Sequence, residues 1–190
     1  MVLGPIELVQ QIAALFDELA IPYALGGSVA SSLFGEPRST VDVDVAIDLA
    51  VESEDRLLES LQGEFYVPLD SARLAIRTRS SFNVLGAEAA AKVDVFVLGD
   101  GLLDRMQIER RVWVPLFGEG SGVWVTSPED QVLRKLDWFR LGGRVSDRQW
   151  RDVVGLLTIQ ANSLDFEYMR SCASELGLTE LLDAANAGGV

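Results

Sequence analysis

Residues 25–48 read LGGSVASSLFGEPRSTVDVDVAID, and the architecture follows from them. Val41 to Leu49 alternates without a break and is the clearest strand in the chain, since a period of two sends apolar and polar side chains to opposite faces. One face carries Val41, Val43, Val45, Ile47 and Leu49; the other carries Thr40, Asp42, Asp44, Ala46 and Asp48. Asp42 and Asp44 therefore point the same way, roughly 6–7 Å apart along the strand. Neighbouring carboxylates oppose each other's ionisation unless solvent or a cation intervenes, so Asp-x-Asp is a candidate cradle for a divalent metal. A bare pair of this kind more often marks an edge strand with a wet polar face than a metal site.

Two flanking features bear on that choice. Upstream, Gly26-Gly27-Ser28 stands where a short strand, Tyr23 to Leu25, turns into a small-residue helix, Ser28 to Leu33. Free backbone amides and a hydroxyl at the positive end of a helix can hold phosphate oxygens. Downstream, KVDVFVL (residues 92–98) is another β-rich run with one embedded acid, Asp94. The duller account gives Asp94 a salt bridge to Lys92.

Further out, Gly4-Pro5 opens a helix whose apolar residues Ile6, Leu8, Val9, Ile12, Leu15, Phe16 and Leu19 recur at helical spacing. Glu52 to Leu61 and Leu102 to Arg111 also read as helices. Further strands are expected at Phe82 to Leu85, Val112 to Leu116 and Val123 to Val125. Ser127-Pro128-Glu129-Asp130 and Ser146-Asp147-Arg148-Gln149 are capping boxes opening helices at Pro128 to Leu141 and Asp147 to Gln160. Shorter helices follow at Asp165 to Glu175 and Thr179 to Ala185. The pattern changes near Gly118 to Ser127, dividing the chain into a mixed core domain, residues 1–120, and a helical subdomain, residues 121–190.

The 190 residues are 48% hydrophobic and 24% charged, the balance of a soluble globular chain. There is no histidine, which excludes a Ser-His-Asp triad, a histidine base and a HExxH zinc site. The single cysteine, Cys172, cannot form an internal disulfide, which fits a reducing, cytoplasmic setting. The net charge is −13, of which residues 1–100 carry −10. That sign argues against general nucleic-acid binding, although Arg134, Lys135, Arg140, Arg144, Arg148 and Arg151 make a local basic patch. No targeting signal or membrane span is read.

The segment LGGSVASSLFGEPRSTVDVDVAID resembles the signature of the nucleotidyltransferase superfamily typified by DNA polymerase β: a Gly-Gly or Gly-Ser turn into a short helix, Arg-x-Thr-x-Asp-x-Asp, and a third Asp on a later strand, here in KVDVFVL. The nearer likeness is to the bacterial AbiEii/AbiGii-type and minimal nucleotidyltransferases known from toxin and antitoxin systems. PEDQVLRKLDWFRLGGRVSDRQWRDVVGLL is similar to their helical segment, and the likeness covers about residues 20–160. It implies an α+β fold, a short mixed sheet flanked by helices with a C-terminal helical subdomain. It also implies transfer of a nucleoside monophosphate from an NTP to a hydroxyl, releasing pyrophosphate. On that resemblance Gly26, Gly27 and Ser28 bind the triphosphate, with Arg38 and Thr40 beside them. Asp42 and Asp44 bridge two Mg²⁺ ions (or Mn²⁺). Asp94 completes one metal site and helps deprotonate the acceptor. Lys135 contacts the nucleotide, and Asp152 matches the family's late aspartate, with Asp147 a second candidate. Two metals clamping an in-line displacement need no histidine.

Each supporting residue has a structural alternative. Arg38 and Thr40 can fix the turn into the strand. Lys135 can snorkel from a helix whose Leu133, Leu136 and Phe139 are core candidates. Asp147 suits a helix's first turn on dipole grounds alone. Trp113, Trp124, Trp138 and Trp150 suit a core better than base stacking, and Arg73, Arg77 and Arg79 fit an exposed helix face as well as an acceptor groove. The acceptor is a protein, an RNA end or a small molecule. The contrasting function is that of a non-catalytic, antitoxin-like interaction protein with a cognate toxin or antitoxin partner.

Overall fold

The computed structural model describes residues 4–37, 42–86, 92–116, 118 and 120–188. Arg38 and Thr40 lie outside the described residues. Seven strands form one mixed sheet: β1 (Tyr23–Leu25), β2 (Asp42–Ile47), β3 (Phe65–Tyr66), β4 (Ser81–Gly86), β5 (Lys92–Val97), β6 (Val112–Pro115) and β7 (Gly122–Val125). Their order is β3-β4-β5-β2-β1-β7-β6, with β2 parallel to β5 and β1 parallel to β7. The helices are α1 (Pro5–Glu18), α2 (Gly27–Phe34), α3 (Glu54–Glu64), α4 (Leu69–Thr78), α5 (Leu102–Glu109), α6 (Pro128–Leu141), α7 (Asp147–Ile159), α8 (Phe166–Leu176) and α9 (Thr179–Asn186).

The alternation of β2 and β5 sets which face is dry. Val43, Val45, Val93 and Val95 are fully buried, in one cluster with Leu8, Ile12 and Phe16 of α1, Leu57, Leu58 and Leu61 of α3, and Ala72 and Ile76 of α4. Asp42, Asp44, Lys92, Asp94 and Phe96 alternate with those valines and are half-buried. Over this polar face lies α6, brought there by Phe96 against Trp138 with ring centroids 6.0 Å apart.

A second apolar cluster joins α6 to α9, from Val132, Leu133 and Leu136 through Trp150, Val153 and Leu156 to Leu178 and Leu182, and includes Leu103 of α5. The sheet's own cluster extends to Val123 and Val125 of β7, so the chain is still contributing to the sheet just before α6 begins. Both capping boxes form as read. Ser127 accepts the Asp130 amide and Ser146 accepts the Gln149 amide, satisfying amides that a helix start leaves unpaired. The two-residue strand β3 escapes the sequence reading, and α4 is met there only as the helix face offered for Arg73 and Arg77.

Candidate active site

The glycine turn and the first pair of acids meet directly. Gly26 N–H donates to the Asp44 carbonyl at 2.9 Å, continuing the pairing of β1 with β2. Gly27 then adopts φ +54°, a left-handed conformation that favours glycine, and a Cβ there would overlap the Asp44 carboxylate. The Ser28 amide donates to that carboxylate. Asp44 thus sits against the positive N-terminus of α2, where an anion is favoured.

Next to it, the parallel pairing of β2 with β5 places Asp44 directly opposite Asp94 and Asp42 directly opposite Lys92. Strands in a sheet lie about 4.8 Å apart, so the four side chains form a compact patch on one face. Burial pushes the Asp44 carboxyl above its ordinary 3.8, and the charge of Asp94 adds to this; the Ser28 amide and the charge of Lys135 work the other way. Asp94 is met by Lys92, whose Nζ donates to Oδ1 at 3.1 Å and to Oδ2 at 2.9 Å. The duller account of Asp94 therefore describes what its carboxylate touches in the free chain.

The donor set is one that could hold a divalent cation: hard carboxylate oxygens, side by side in register, with the Asp44 carboxyl raised by burial and then by the charge of Asp94. Among the described residues, no three acidic side chains are arranged to share one cation as they stand. As they stand, both Asp94 oxygens accept from Lys92.

The helical half supplies the rest. Lys135 is buried, with 2% of its surface exposed, and its Nζ donates to Asp152 Oδ2 at 2.8 Å and Gln149 Oε1 at 3.1 Å. It is therefore no snorkelling lysine, and its charge acts on Asp44. Asp147 is exposed in the first turn of α7. Gln131 Nε2 donates to the Gly27 carbonyl at 2.7 Å and Arg148 Nη2 to Ser28 Oγ at 2.8 Å, so α6 and α7 both reach the glycine turn. Neither contact was readable from the sequence, although Arg148 belongs to the basic patch noted there.

Beside Gly26, Gly27 and Asp44 opens a cavity of about 280 Å³, near the lower end of the range for small-ligand pockets. Ala46, Phe96, Ser81, Arg134 and Trp138 line it as well. Arg134 is fixed there by Asp104 at 2.6 Å. The tryptophans divide: Trp150 is buried in the helical core, Trp138 faces the cavity, and Trp113 is 45% exposed on the sheet edge against Trp124. Arg73 pairs with Glu54 and Asp55 and so holds α4 to α3, whereas Arg79 donates to the carbonyls of Leu49 and Leu98, beyond the ends of β2 and β5, and lines the cavity, as an acceptor groove would require.

No protein-family model matches the chain, and no curated protein does. Among solved structures it is similar to an antigenic nucleotidyltransferase-like protein from Paracoccidioides brasiliensis, with a TM-score of 0.56 and 20% identity over 97% of this chain and 93% of that one. It is also similar to the antibiotic-resistance factor ANT(2'')-Ia in solution, with a TM-score of 0.54 and 16% identity over 92% of this chain and 94% of that one. The crystal structure of ANT(2'')-Ia in complex with adenylyl-2''-tobramycin gives the same TM-score and identity over 90% of this chain and 97% of that one. These likenesses extend over nearly the whole chain, whose mixed sheet flanked by helices has the nucleotidyltransferase fold.

Proposed function

We propose that the chain transfers a nucleoside monophosphate from an NTP to a hydroxyl acceptor and releases pyrophosphate. The observation that carries this reading is the placement of Asp44: level with Asp94 on the neighbouring strand, directly against the Gly27-Ser28 helix start, and at the wall of a cavity. Ser28, the amides of the α2 start and Arg148 face the triphosphate, and Lys135 adds positive charge from α6, held in place by Asp152. Arg38 and Thr40 are assigned to the same nucleotide site. Asp42, Asp44 and Asp94 would hold Mg²⁺ or Mn²⁺, which when bound neutralises phosphate charge and favours departure of pyrophosphate.

In the transfer the acceptor oxygen forms a bond to the α-phosphorus as the bond from that phosphorus to the bridging oxygen breaks. The acceptor proton passes to a carboxylate, assigned to Asp94. The net charge disfavours an RNA end, and because ANT(2'')-Ia is seen in complex with adenylyl-2''-tobramycin, a small hydroxylated molecule is preferred to a protein side chain as the acceptor. A cytoplasmic location and a toxin–antitoxin or phage-defence setting belong to the same proposal.

The test is incubation of the chain with labelled NTPs, Mg²⁺ and candidate acceptors, followed by mass spectrometry. Pyrophosphate release and an acceptor heavier by one nucleoside monophosphate are expected, both lost in Asp42→Ala and Asp44→Ala. Unchanged turnover in both variants would reject the assignment. The contrasting reading, an antitoxin-like interaction protein, is favoured by the contacts that occupy Asp94 and Ser28 in the free chain. It predicts that no NTP binds.

A further inference from the structure

We propose that Lys92 is a built-in counter-ion that closes the three-aspartate site to a bare divalent cation and yields when the cation arrives with a triphosphate. This rests on the nucleotidyl-transfer reading and adds to it a role for a residue that neither the sequence motif nor the fold assigns.

The geometry is specific. Lys92 and Asp94 stand two apart on β5 and so share a face, and both Asp94 oxygens accept from the one ammonium, at 3.1 and 2.9 Å. Across the parallel pair, Lys92 lies opposite Asp42 and Asp94 opposite Asp44, so the ammonium belongs to a patch that is otherwise entirely acidic. Its proton is held more tightly than usual, chiefly by the hydrogen bond to Asp94 and then by the charges of Asp94, Asp42 and Asp44. All three acids therefore act on this one cation. It holds both oxygens of Asp94, the acid level with Asp44.

The residue type suits a counter-ion that can leave. An ammonium on a flexible four-carbon stem is a point charge, easier to displace than a forked guanidinium. The Lys92 side chain is 39% exposed against 19% for Asp94, so it has a route into solvent while the carboxylate stays in place. The other lysine near these acids, Lys135, is committed to Asp152 and Gln149. A bare cation must displace the ammonium unaided. One that arrives on a triphosphate brings anionic oxygens that add to its own ligands and give the displaced ammonium a new partner.

The test reads Mn²⁺ binding without nucleotide, by electron paramagnetic resonance at low ionic strength, on the full chain and on four variants: Lys92→Met, Lys92→Arg, Asp44→Asn and the Lys92→Met, Asp44→Asn pair. Lys92→Met is expected to bind Mn²⁺ roughly two- to five-fold more tightly than the parent, the gain from removing one partly exposed ion pair. Lys92→Arg keeps the charge and should bind no more tightly than the parent. Asp44→Asn added to Lys92→Met should erase the gain. Equal Mn²⁺ affinity in parent and Lys92→Met, lost in both on adding Asp44→Asn, overturns the role of Lys92 and leaves the metal site standing. If no variant shows Mn²⁺ binding sensitive to Asp44→Asn, both readings fall. Should Lys92→Met lose its fold by circular dichroism, Lys92→Gln carries the same comparison with a polar, uncharged side chain.

Discussion

Gly27 and Asp44 are the pair on which the site is built, and each constrains the other. A side chain at position 27 would need both a left-handed backbone and the space held by the Asp44 carboxylate. Gly27→Ala should therefore cost about 2 kcal/mol or more in chemical denaturation, beyond the usual strain of a left-handed residue, and should weaken nucleotide binding with it. Asp44 carries the opposite kind of cost. Burial and the Asp94 charge raise its folded-state pKa above the unfolded value near 3.8, so the folded chain binds this proton more tightly than the unfolded chain does. Its contribution to stability is complete below about pH 4 and is lost as pH rises through the folded-state value. Asp44→Asn should accordingly melt higher than the parent at pH 7, the gap narrowing as pH is lowered, while NTP turnover disappears. A parent and variant that melt alike at every pH would remove the electrostatic account. These residues were legible because their signals are local: a period of two for Asp42, Asp44 and Asp94, and turn chemistry for the glycines. Gln131 and Arg148 were not, since they bond to Gly27 and Ser28 from 104 and 120 residues away, a distance no local pattern spans.

Among the elements, α6 and α7 do most to complete the site. Their start signals were readable, because a serine cap followed by an acid or glutamine satisfies amides within one turn. Their partnership was not, since Lys135 in sequence is only a cation between apolar neighbours. Its pairing with Asp152 is nearly dry, with side-chain exposures of 3% and 11%. Removing one partner of such a pair strands the other charge, so Lys135→Met should lose about 3 kcal/mol. Lys135→Met combined with Asp152→Leu should recover much of that while leaving nucleotide binding impaired. A double variant as unstable as the single one would show that the pair is not what the single change breaks. Helix α4 is anticipated only as the exposed helix face offered for Arg73 and Arg77; its bounds went unread, although Ala72, Ala75 and Ile76 recur at helical spacing on its buried side. Strand β3 is too short for any alternation to register, and only its pairing with β4 defines it.

On the scale of the molecule, two apolar clusters share α2 between them. Phe34 at its C-terminal end packs against both, and Gln160 of the α7 cap donates to the Phe34 carbonyl at 2.7 Å. Phe34→Ala should cost about 2 kcal/mol, less than a fully buried phenylalanine, and should broaden the single thermal transition as the sheet and helical cores uncouple. The division of the chain near residue 120 rests on a change in local pattern; the strand at Val123 to Val125 is legible too, but its tie to the sheet centre, Val125 level with Leu25 of β1, joins residues 100 apart and leaves no local trace. Charge is legible at this scale too. A chain at −13 should bind duplex nucleic acid negligibly at physiological salt, leaving the local arginines to capture a nucleotide. Among the described residues no helix is long and apolar enough to cross a membrane. The most direct measurement is calorimetric titration of the full chain with each NTP in the presence and absence of Mg²⁺. Saturable, Mg²⁺-dependent binding of at least one NTP, lost in Asp44→Ala, is the expected result; no binding of any NTP, or binding indifferent to both Mg²⁺ and Asp44, would contradict a nucleotidyl-transfer site at this turn.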